Sequence, residues 1–218
     1  MSKYSLKTLT TLFLFSVCLA SYTVNAGVME EVSKVQHDWA HANYELSGKD
    51  QTQAFETLVG NVEVLTDQYA DSAEIFVWSG IVKSTYAGVK GGLGALSLAK
   101  QSRSDLEHAI EIDGDVLDGS AYTSLATLYA QVPGWPIGFG SEKKAKALFD
   151  KALNINPNGI DSNYFYAQFM FDQKNYAEAK RYFLKAQQAE ARPGREVADA
   201  GRQQEILAGL EKTNKKLH

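Results

Sequence analysis

Two histidines four residues apart give this chain its clearest candidate for metal chemistry. His37 and His41 would share one face of a helix with Asp38 between them, the order of two ligands and a general base in zinc proteases. Asp38 is one methylene shorter than the glutamate of that motif, and His108 stands alone in another segment. Because catalytic zinc needs three protein ligands and an open position, we predict two solvated or interfacial histidines and no metal site.

An acidic turn is the next candidate. Asp113, Asp115 and Asp118 carry carboxylates of the kind that calcium prefers. Leu117, however, occupies a position where the helix-loop-helix calcium template requires an oxygen ligand. We therefore interpret this stretch as a turn between two helices, in which the short acidic side chains cap the next helix.

A group of glycines resembles a phosphate-binding loop. Gly88, Gly91, Gly92 and Gly94 lie within seven residues of one another. Such a loop follows a strand and ends with a lysine before serine or threonine, and neither feature is present here. We predict no nucleotide site and no other cofactor.

Nucleophilic catalysis would need an activated hydroxyl or thiol. Ser79 and Ser84 have no histidine at a spacing that would bring a base beside them. Cys18 is the single cysteine, and it falls within the N-terminal apolar segment. We predict that the protein is not an enzyme; a hydrolase would require a buried acid or histidine next to a nucleophile.

The N-terminus is typical of a secretory signal peptide. Lys3 and Lys7 precede an apolar stretch over residues 9–20, and small residues lead to Ala26. About 12 apolar residues are too few for a bilayer, which needs about 20, although an uncleaved anchor or a cut after residue 20 are the alternatives. We predict a signal peptide over residues 1–26, cleaved near Ala26, and a periplasmic or secreted protein.

Charge argues against nucleic acid as a partner. The formal charge is −4, and removing residues 1–26 removes two lysines and no acid, which leaves −6. A duplex-binding surface is usually basic, because it must neutralise phosphates. We predict no nucleic-acid partner.

The predicted mature chain, residues 27–218, has the pattern of an all-α domain. Apolar residues recur at steps of three and four, and four prolines are present in the whole sequence. Ser72, Ser141 and Asp161 with Ser162 are helix-start signals. The pattern predicts four hairpins and a closing helix, with helices over residues 28–46, 50–69, 73–87, 95–112, 119–131, 141–154, 161–173, 175–189 and 194–213.

An internal repeat is the strongest pattern in the sequence. Small and aromatic residues recur 34 residues apart, which is the tetratricopeptide period. The repeated pairs are Ala145 and Ala179, Phe149 and Phe183, and Ala152 and Ala186. Each alanine would let the two helices of a hairpin approach closely while the aromatic ring fills the space beside it.

On these residues the chain resembles the tetratricopeptide-repeat (TPR) family in its exported bacterial form. Other positions that fit the family's small and large residues are Trp78, Gly80, Ile81, Leu125, Ala126, Tyr129, Tyr166, Ala167 and Met170. The resemblance covers roughly residues 50–190; the family's final proline is kept at Pro157 but is Gly114 and Ala191 in the other copies. It implies a solenoid of about four helical hairpins with a C-terminal helix, and leaves the exact repeat count open.

The TPR resemblance implies a scaffold or adaptor that binds a protein or peptide of the cell envelope along a groove, with membrane contact only through that partner. The groove positions implied are Val77, Ile81, Thr85, Thr123, Thr127, Gln131, Tyr164, Gln168 and Phe171. Their mixture of apolar and uncharged polar side chains would suit an extended or helical segment better than a phosphate.

A second resemblance gives a different function. Two inserted turns, residues 88–94 and 132–140, are similar to those of TatT-type helical subunits that are associated with periplasmic transporters. That resemblance implies a small-molecule-binding helper subunit of a transport system. A closed cavity lined by aromatic side chains would distinguish this function from peptide binding.

The two inserted turns are also expected to be neighbours, because they fall at equivalent places in adjacent repeats. The second turn holds two large aromatic residues, Trp135 and Phe139, where a short polar loop is usual. They either tuck back over the helix ends or form a rigid binding edge for a partner. The sequence leaves both alternatives open.

Overall fold

Every regular element that the computed structural model describes, over residues 26–218, is an α-helix, so the predicted all-α class is confirmed. Within that range no helix is both long and apolar enough to cross a bilayer. The predicted signal peptide lies outside the described residues except for Ala26. The helices are α1 (26–44), α2 (Gly48–Gln68), α3 (Ala73–Lys90), α4 (Gly92–Asp113), α5 (Val116–Gln131), α6 (Glu142–Ile155), α7 (Ile160–Asp172), α8 (Tyr176–Gln187) and α9 (Glu196–Leu217).

Two of the three predicted helix starts are capped as expected. The Ser72 hydroxyl accepts a hydrogen bond from a first-turn amide of α3, and the Ser141 hydroxyl accepts one from a first-turn amide of α6. At α7 the prediction is wrong, because that helix follows Gly159 and has no side-chain cap. The Ser162 hydroxyl instead donates to the backbone of the preceding turn, and Asp161 is left free to face the arginines described below.

The helices pack as successive pairs. α3 lies against α4, α5 against α6 and α7 against α8, while α3, α5 and α7 also contact one another in chain order. α9 packs on α7 and α8, where Gly209 lets the helix approach the buried ring of Phe183. The repeated positions are all buried in these pairs: Ala145, Phe149, Ala152, Ala179, Phe183 and Ala186.

The first helix joins the beginning of this array to its end. On α1, the ring of Trp39 packs edge-on against Trp78 of α3, with centroids 5.9 Å apart. One turn further along, the ring of Tyr44 covers Gly201 of α9, where a Cβ atom would stand 2.3 Å from the tyrosine Cδ1. The Tyr44 hydroxyl also donates to Glu205 over 3.5 Å. α1 therefore contacts both the first helix pair and the last helix.

The first inserted turn is a sharp bend and not a loop. α3 continues through Gly88 to Lys90, and α4 begins at Gly92, which overturns the predicted non-helical stretch over residues 88–94. Gly91 alone separates the two helices, with φ of +60°, a conformation that costs glycine little. Glycines often indicate a loop, but Gly88 lies within α3, and a Cβ atom added there would meet no other atom within 4 Å.

The acidic turn connects α4 and α5 as predicted, but the predicted capping is wrong, because no side chain caps the start of α5. The Asp113 carboxylate accepts a hydrogen bond from the Asp115 amide over 3.0 Å. Leu117, Asp118 and Gly119 then adopt left-handed backbone angles, with φ of 50°, 57° and 70°. The chain thus reverses direction here before α5 continues as a right-handed helix.

Candidate ligand-binding cavity

A cavity of about 300 Å³ lies between α1, α3, α5, α7 and the segment that leads into α9. Its wall contains aromatic rings, aliphatic side chains, neutral polar groups and a charged cluster. The aromatic rings belong to Trp39, Trp78, Tyr164 and Phe165. The charged groups are Asp161, Arg192, Arg195, Arg202 and Glu205.

Helical spacing explains how α3 and α5 supply the neutral part of the wall. Ile81 and Thr85 are four residues apart on α3, and Thr123, Thr127 and Gln131 follow the same step on α5. Residues four apart lie on one face of a helix. These five predicted groove residues and Tyr164 all line the cavity.

The other three predicted groove residues lie elsewhere. Val77 is fully buried in the core, because it is one position before Trp78 and therefore points about 100° away from the cavity face. Gln168 does not line the cavity; its amide donates to the Tyr164 hydroxyl over 2.9 Å. Phe171 packs against Tyr176, with ring centroids 5.3 Å apart.

Trp39 is the residue by which α1 covers the α3 side of the cavity. Its indole Nε1–H donates to the Thr85 hydroxyl over 3.0 Å, so the polar atom of a mostly buried ring is satisfied. Thr85 in turn donates to the backbone carbonyl of Ile81. The hydrogen bond fixes the indole ring over the α3 side of the cavity.

An ion-pair network holds the opposite side. Asp161, in the first turn of α7, accepts from Arg192 over 2.6 Å and from Arg202 over 2.8 Å. Arg192 also donates to Asp199 over 2.8 Å, and Arg202 donates to Glu205. Asp161 is therefore the carboxylate that ties the segment before α9 and α9 itself to α7.

The arginines keep Asp161 charged. Burial by itself would raise the pKa of this carboxyl, but Arg202 and Arg192 outweigh burial and hold the pKa well below its usual range. The Tyr44 hydroxyl beside the same network has its pKa raised, mainly by burial. At neutral pH the carboxylate is thus ionised and the phenol is neutral.

Two of the arginines also stack on aromatic rings of the wall. The guanidinium of Arg202 lies 4.4 Å from the ring centroid of Tyr164 and 4.5 Å from that of Phe165. That of Arg195 lies 5.1 Å from the centroid of Trp78. Cation–π contacts of this kind are favourable and orient the flat guanidinium along the ring.

The arginine side of the cavity is not predicted from the sequence. The sequence pattern predicts only a closing helix in the segment after α8. A compositional signal was present, since three of the five arginines of the chain fall between residues 192 and 202. Trp39 is likewise not predicted as a cavity residue, because a single tryptophan on a helix face has no spacing that indicates a site.

The two histidines make separate local contacts. His37 hydrogen-bonds through Nδ1 to the backbone carbonyl of Ser33 over 2.7 Å, and His41 Nδ1 contacts the carboxylate of Glu45 over 2.6 Å. Over residues 26–218 no group of three or more histidine, cysteine, aspartate or glutamate side chains is arranged to hold a metal ion. The absence of a catalytic metal stays a prediction.

The two candidate serines are engaged away from any histidine. The Ser79 hydroxyl donates to Asp105 over 2.7 Å, and the same carboxylate accepts from Lys83. The Ser84 hydroxyl donates to the backbone carbonyl of Ile81. Neither contact is the serine–histidine pair that nucleophilic catalysis uses.

The second inserted turn, residues 132–140, is a true loop, and it separates its two aromatic residues. Phe139 packs edge-on against Tyr129 at 5.5 Å and beneath the guanidinium of Arg103. Trp135 is 90% exposed and Ile137 is 70% exposed. Phe139 therefore packs against the helices, as the first alternative for this turn expects. Trp135 is exposed and free to contact a partner, as the second alternative expects.

The first residue of the first turn and the residue just before the second turn both line the cavity. Gly88, near the end of α3, and Gln131, the last residue of α5, line the same cavity.

A scan against protein-family models finds no match for this chain, and a search of curated proteins finds none.

Proposed function

We propose that this protein is an exported helical binding protein that holds a small organic molecule in the cavity between α1, α3, α5, α7 and the α9 segment. The observation that carries the proposal is the position of α1 and the arginine segment. Trp39 and Arg195 both lie on Trp78, across the face where a peptide groove was expected. An aromatic ring and a guanidinium that lie over this face favour a small ligand over a peptide.

The size of the cavity supports the same conclusion. Ligand pockets in proteins usually measure about 300 to 1,000 Å³, and this cavity, at about 300 Å³, is at the lower end. A bound helix would need a channel about 10 Å wide along several turns. We take the helix pairs as a TPR-like solenoid, supported by the 34-residue spacing and by the contacts of α3, α5 and α7 in chain order.

The wall offers both contact area and orientation to such a ligand. The rings of Trp39, Trp78 and Tyr164 provide rigid apolar surface. The side chains of Thr123 and Ser124 make no hydrogen bond with another described residue, so their hydroxyls are available to a ligand. A molecule with an apolar face and a few polar groups fits this combination.

Blocking the cavity tests this function. Thr127 lines the cavity from α5, and Thr127→Trp would fill it with an indole ring. We expect this variant to lose the thermal stabilisation and the calorimetric binding that the wild type shows with hits from a library of aromatic acids, sugars and amides.

Thr57→Trp is the matched control. Thr57 is exposed on α2, and its hydroxyl donates to the carbonyl four residues earlier, as the Thr127 hydroxyl does. The Thr57→Trp variant should bind every hit with the affinity of the wild type. Hits that bind Thr127→Trp with unchanged affinity, or a library without hits, would contradict the proposed function.

A second function, contact with an envelope protein, is favoured by the loop over residues 132–140. An exposed tryptophan beside an exposed isoleucine is a common anchor at protein interfaces. In this second function the protein is still an adaptor, but Trp135 contacts the partner in place of the groove residues. It is compatible with ligand binding in the cavity.

Two single substitutions separate the roles of the loop's aromatic residues. Trp135→Ala should leave the free energy of unfolding within about 0.5 kcal/mol of wild type and remove crosslinks to the envelope partner. Phe139→Ala should cost about 2–3 kcal/mol, since it empties a packed site. Urea unfolding and envelope crosslinking measure the two effects. Unchanged crosslinking of Trp135→Ala would reject the loop as a contact surface.

A further inference from the structure

The three arginines of the cavity differ in their partners. Arg192 is paired with Asp161 and Asp199, and Arg202 is paired with Asp161 and Glu205. Arg195 makes no side-chain hydrogen bond or ion pair with any residue from 26 to 218, and its Nε atom is buried without a partner. Its guanidinium is therefore the one whose charge the surrounding wall does not neutralise by direct contact.

Arg195 is also in a position that a ligand can reach. It lines the 300 Å³ cavity, and together with Trp78 it lines a second, adjoining cavity of about 620 Å³. Burial and the neighbouring Arg192 lower the pKa of Arg195, as expected for a cation short of negative partners. Arginine remains protonated at neutral pH in any case.

We propose that the ligand of the cavity is a small organic carboxylate, with its carboxylate paired to Arg195 and its body against the rings of Trp39 and Trp78. The inference rests on the proposed function. A guanidinium presents parallel N–H donors that match the two oxygens of a carboxylate. The free hydroxyls of Thr123 and Ser124 would receive any polar groups on the body.

The charges of the wall favour a single negative group over a phosphate. Asp161 and Glu205 line the cavity close to the arginines and are already engaged with two of them. A dianion would meet both carboxylates with one free guanidinium to offset the repulsion. A monocarboxylate adds one negative charge and leaves the existing pairs intact.

Matched acids and amides test the assignment. The probes are benzoate, phenylacetate, indole-3-acetate and glucuronate, each beside its neutral amide, titrated calorimetrically into the mature protein. We expect at least one acid to bind about tenfold or more tightly than its amide. Arg195→Gln should weaken that acid about tenfold and leave the amide within about twofold of its wild-type affinity.

Arg103→Gln is the control variant. Arg103 also stacks on an aromatic ring, Phe139, at 4.6 Å, but it does not line the cavity. It should keep the preference for the acid. If Arg195→Gln does not fold, Arg195→Lys replaces it and should retain a preference for the acid, because the positive charge is kept.

The outcomes distinguish this inference from the proposed function. If acids and amides bind equally, and Thr127→Trp removes both, the cavity binds neutral molecules and the carboxylate assignment is wrong while the proposed function stands. If no probe binds and the wider library also has no hit, both are wrong. An acid preference that survives Arg195→Gln likewise overturns the role of Arg195.

Discussion

Replacing Asp161 by asparagine is expected to be among the most destabilising single changes in this protein, lowering the free energy of unfolding by about 3 kcal/mol. The asparagine would keep the shape of the side chain but lose the charge that faces Arg192 and Arg202. Arg202 is only 8% exposed, so it could not recover the lost interaction from water. Urea unfolding of the protein measures the effect.

Asp150→Asn provides the control for the same chemical change. Asp150 pairs with Lys146 at 2.5 Å on the surface of α6, where both side chains are about half exposed. Exposed pairs four residues apart on a helix contribute about 0.3–0.5 kcal/mol. Equal losses in the two variants would show that the Asp161 network contributes no more than an ordinary surface pair.

The contribution of Asp161 also has a predicted pH dependence. Its pKa is lowered in the folded protein relative to about 3.9 in an unfolded chain. The stabilisation is therefore fully present above about pH 4 and is lost as the pH falls towards the folded pKa. The difference in stability between wild type and Asp161→Asn should be constant from pH 7 to about pH 5 and should shrink below about pH 4.

The second large effect is expected at Gly201, where α1 meets α9. A Cβ atom at this position would stand 2.3 to 2.5 Å from three atoms of the Tyr44 ring. Gly201→Ala would gain about 1 kcal/mol of helix propensity but would force the ring and α1 away, at a cost of about 1–3 kcal/mol. We expect a net loss of stability of up to about 2 kcal/mol and weaker binding of cavity ligands.

Gly60→Ala is the control for helix propensity. Gly60 is also inside a helix, α2, and a Cβ atom there would meet nothing within 4 Å. That variant should be stabilised by up to about 1 kcal/mol. If Gly201→Ala is stabilised to the same degree in urea unfolding, the contact between Tyr44 and α9 does not hold in solution.

Local patterns in the sequence were sufficient to predict the helices and much of the core. The spacing of Ala152 and Ala186, for example, predicted two buried positions, and both are fully buried. Such predictions succeed because helical periodicity and small-residue packing act between residues that are near one another in the sequence. The predicted loop over residues 88–94 is wrong, because a helix tolerates a glycine such as Gly88 at a position where no neighbouring atoms crowd it.

The cavity was predicted only in part, for a different physical reason. Thr123 and Thr127 could be found because both lie on one helix face. Trp39 and Arg195 could not be related, since they are 156 positions apart in the sequence and are brought to the same ring, Trp78, only when α1 and α9 have both packed. The sequence of the loop over residues 132–140 likewise does not indicate whether Trp135 or Phe139 faces the solvent.

The most direct test of the central claim, that a small molecule binds in the cavity, is the NMR spectrum of the tryptophan indole N–H groups. The chain has three tryptophans, of which Trp39 and Trp78 line the cavity while Trp135 is exposed on the loop. Titration of the protein with a stabilising ligand should shift the indole signals of Trp39 and Trp78 and leave that of Trp135 unchanged. A shift of the Trp135 signal alone, with Trp39 and Trp78 unaffected, would contradict binding in the cavity.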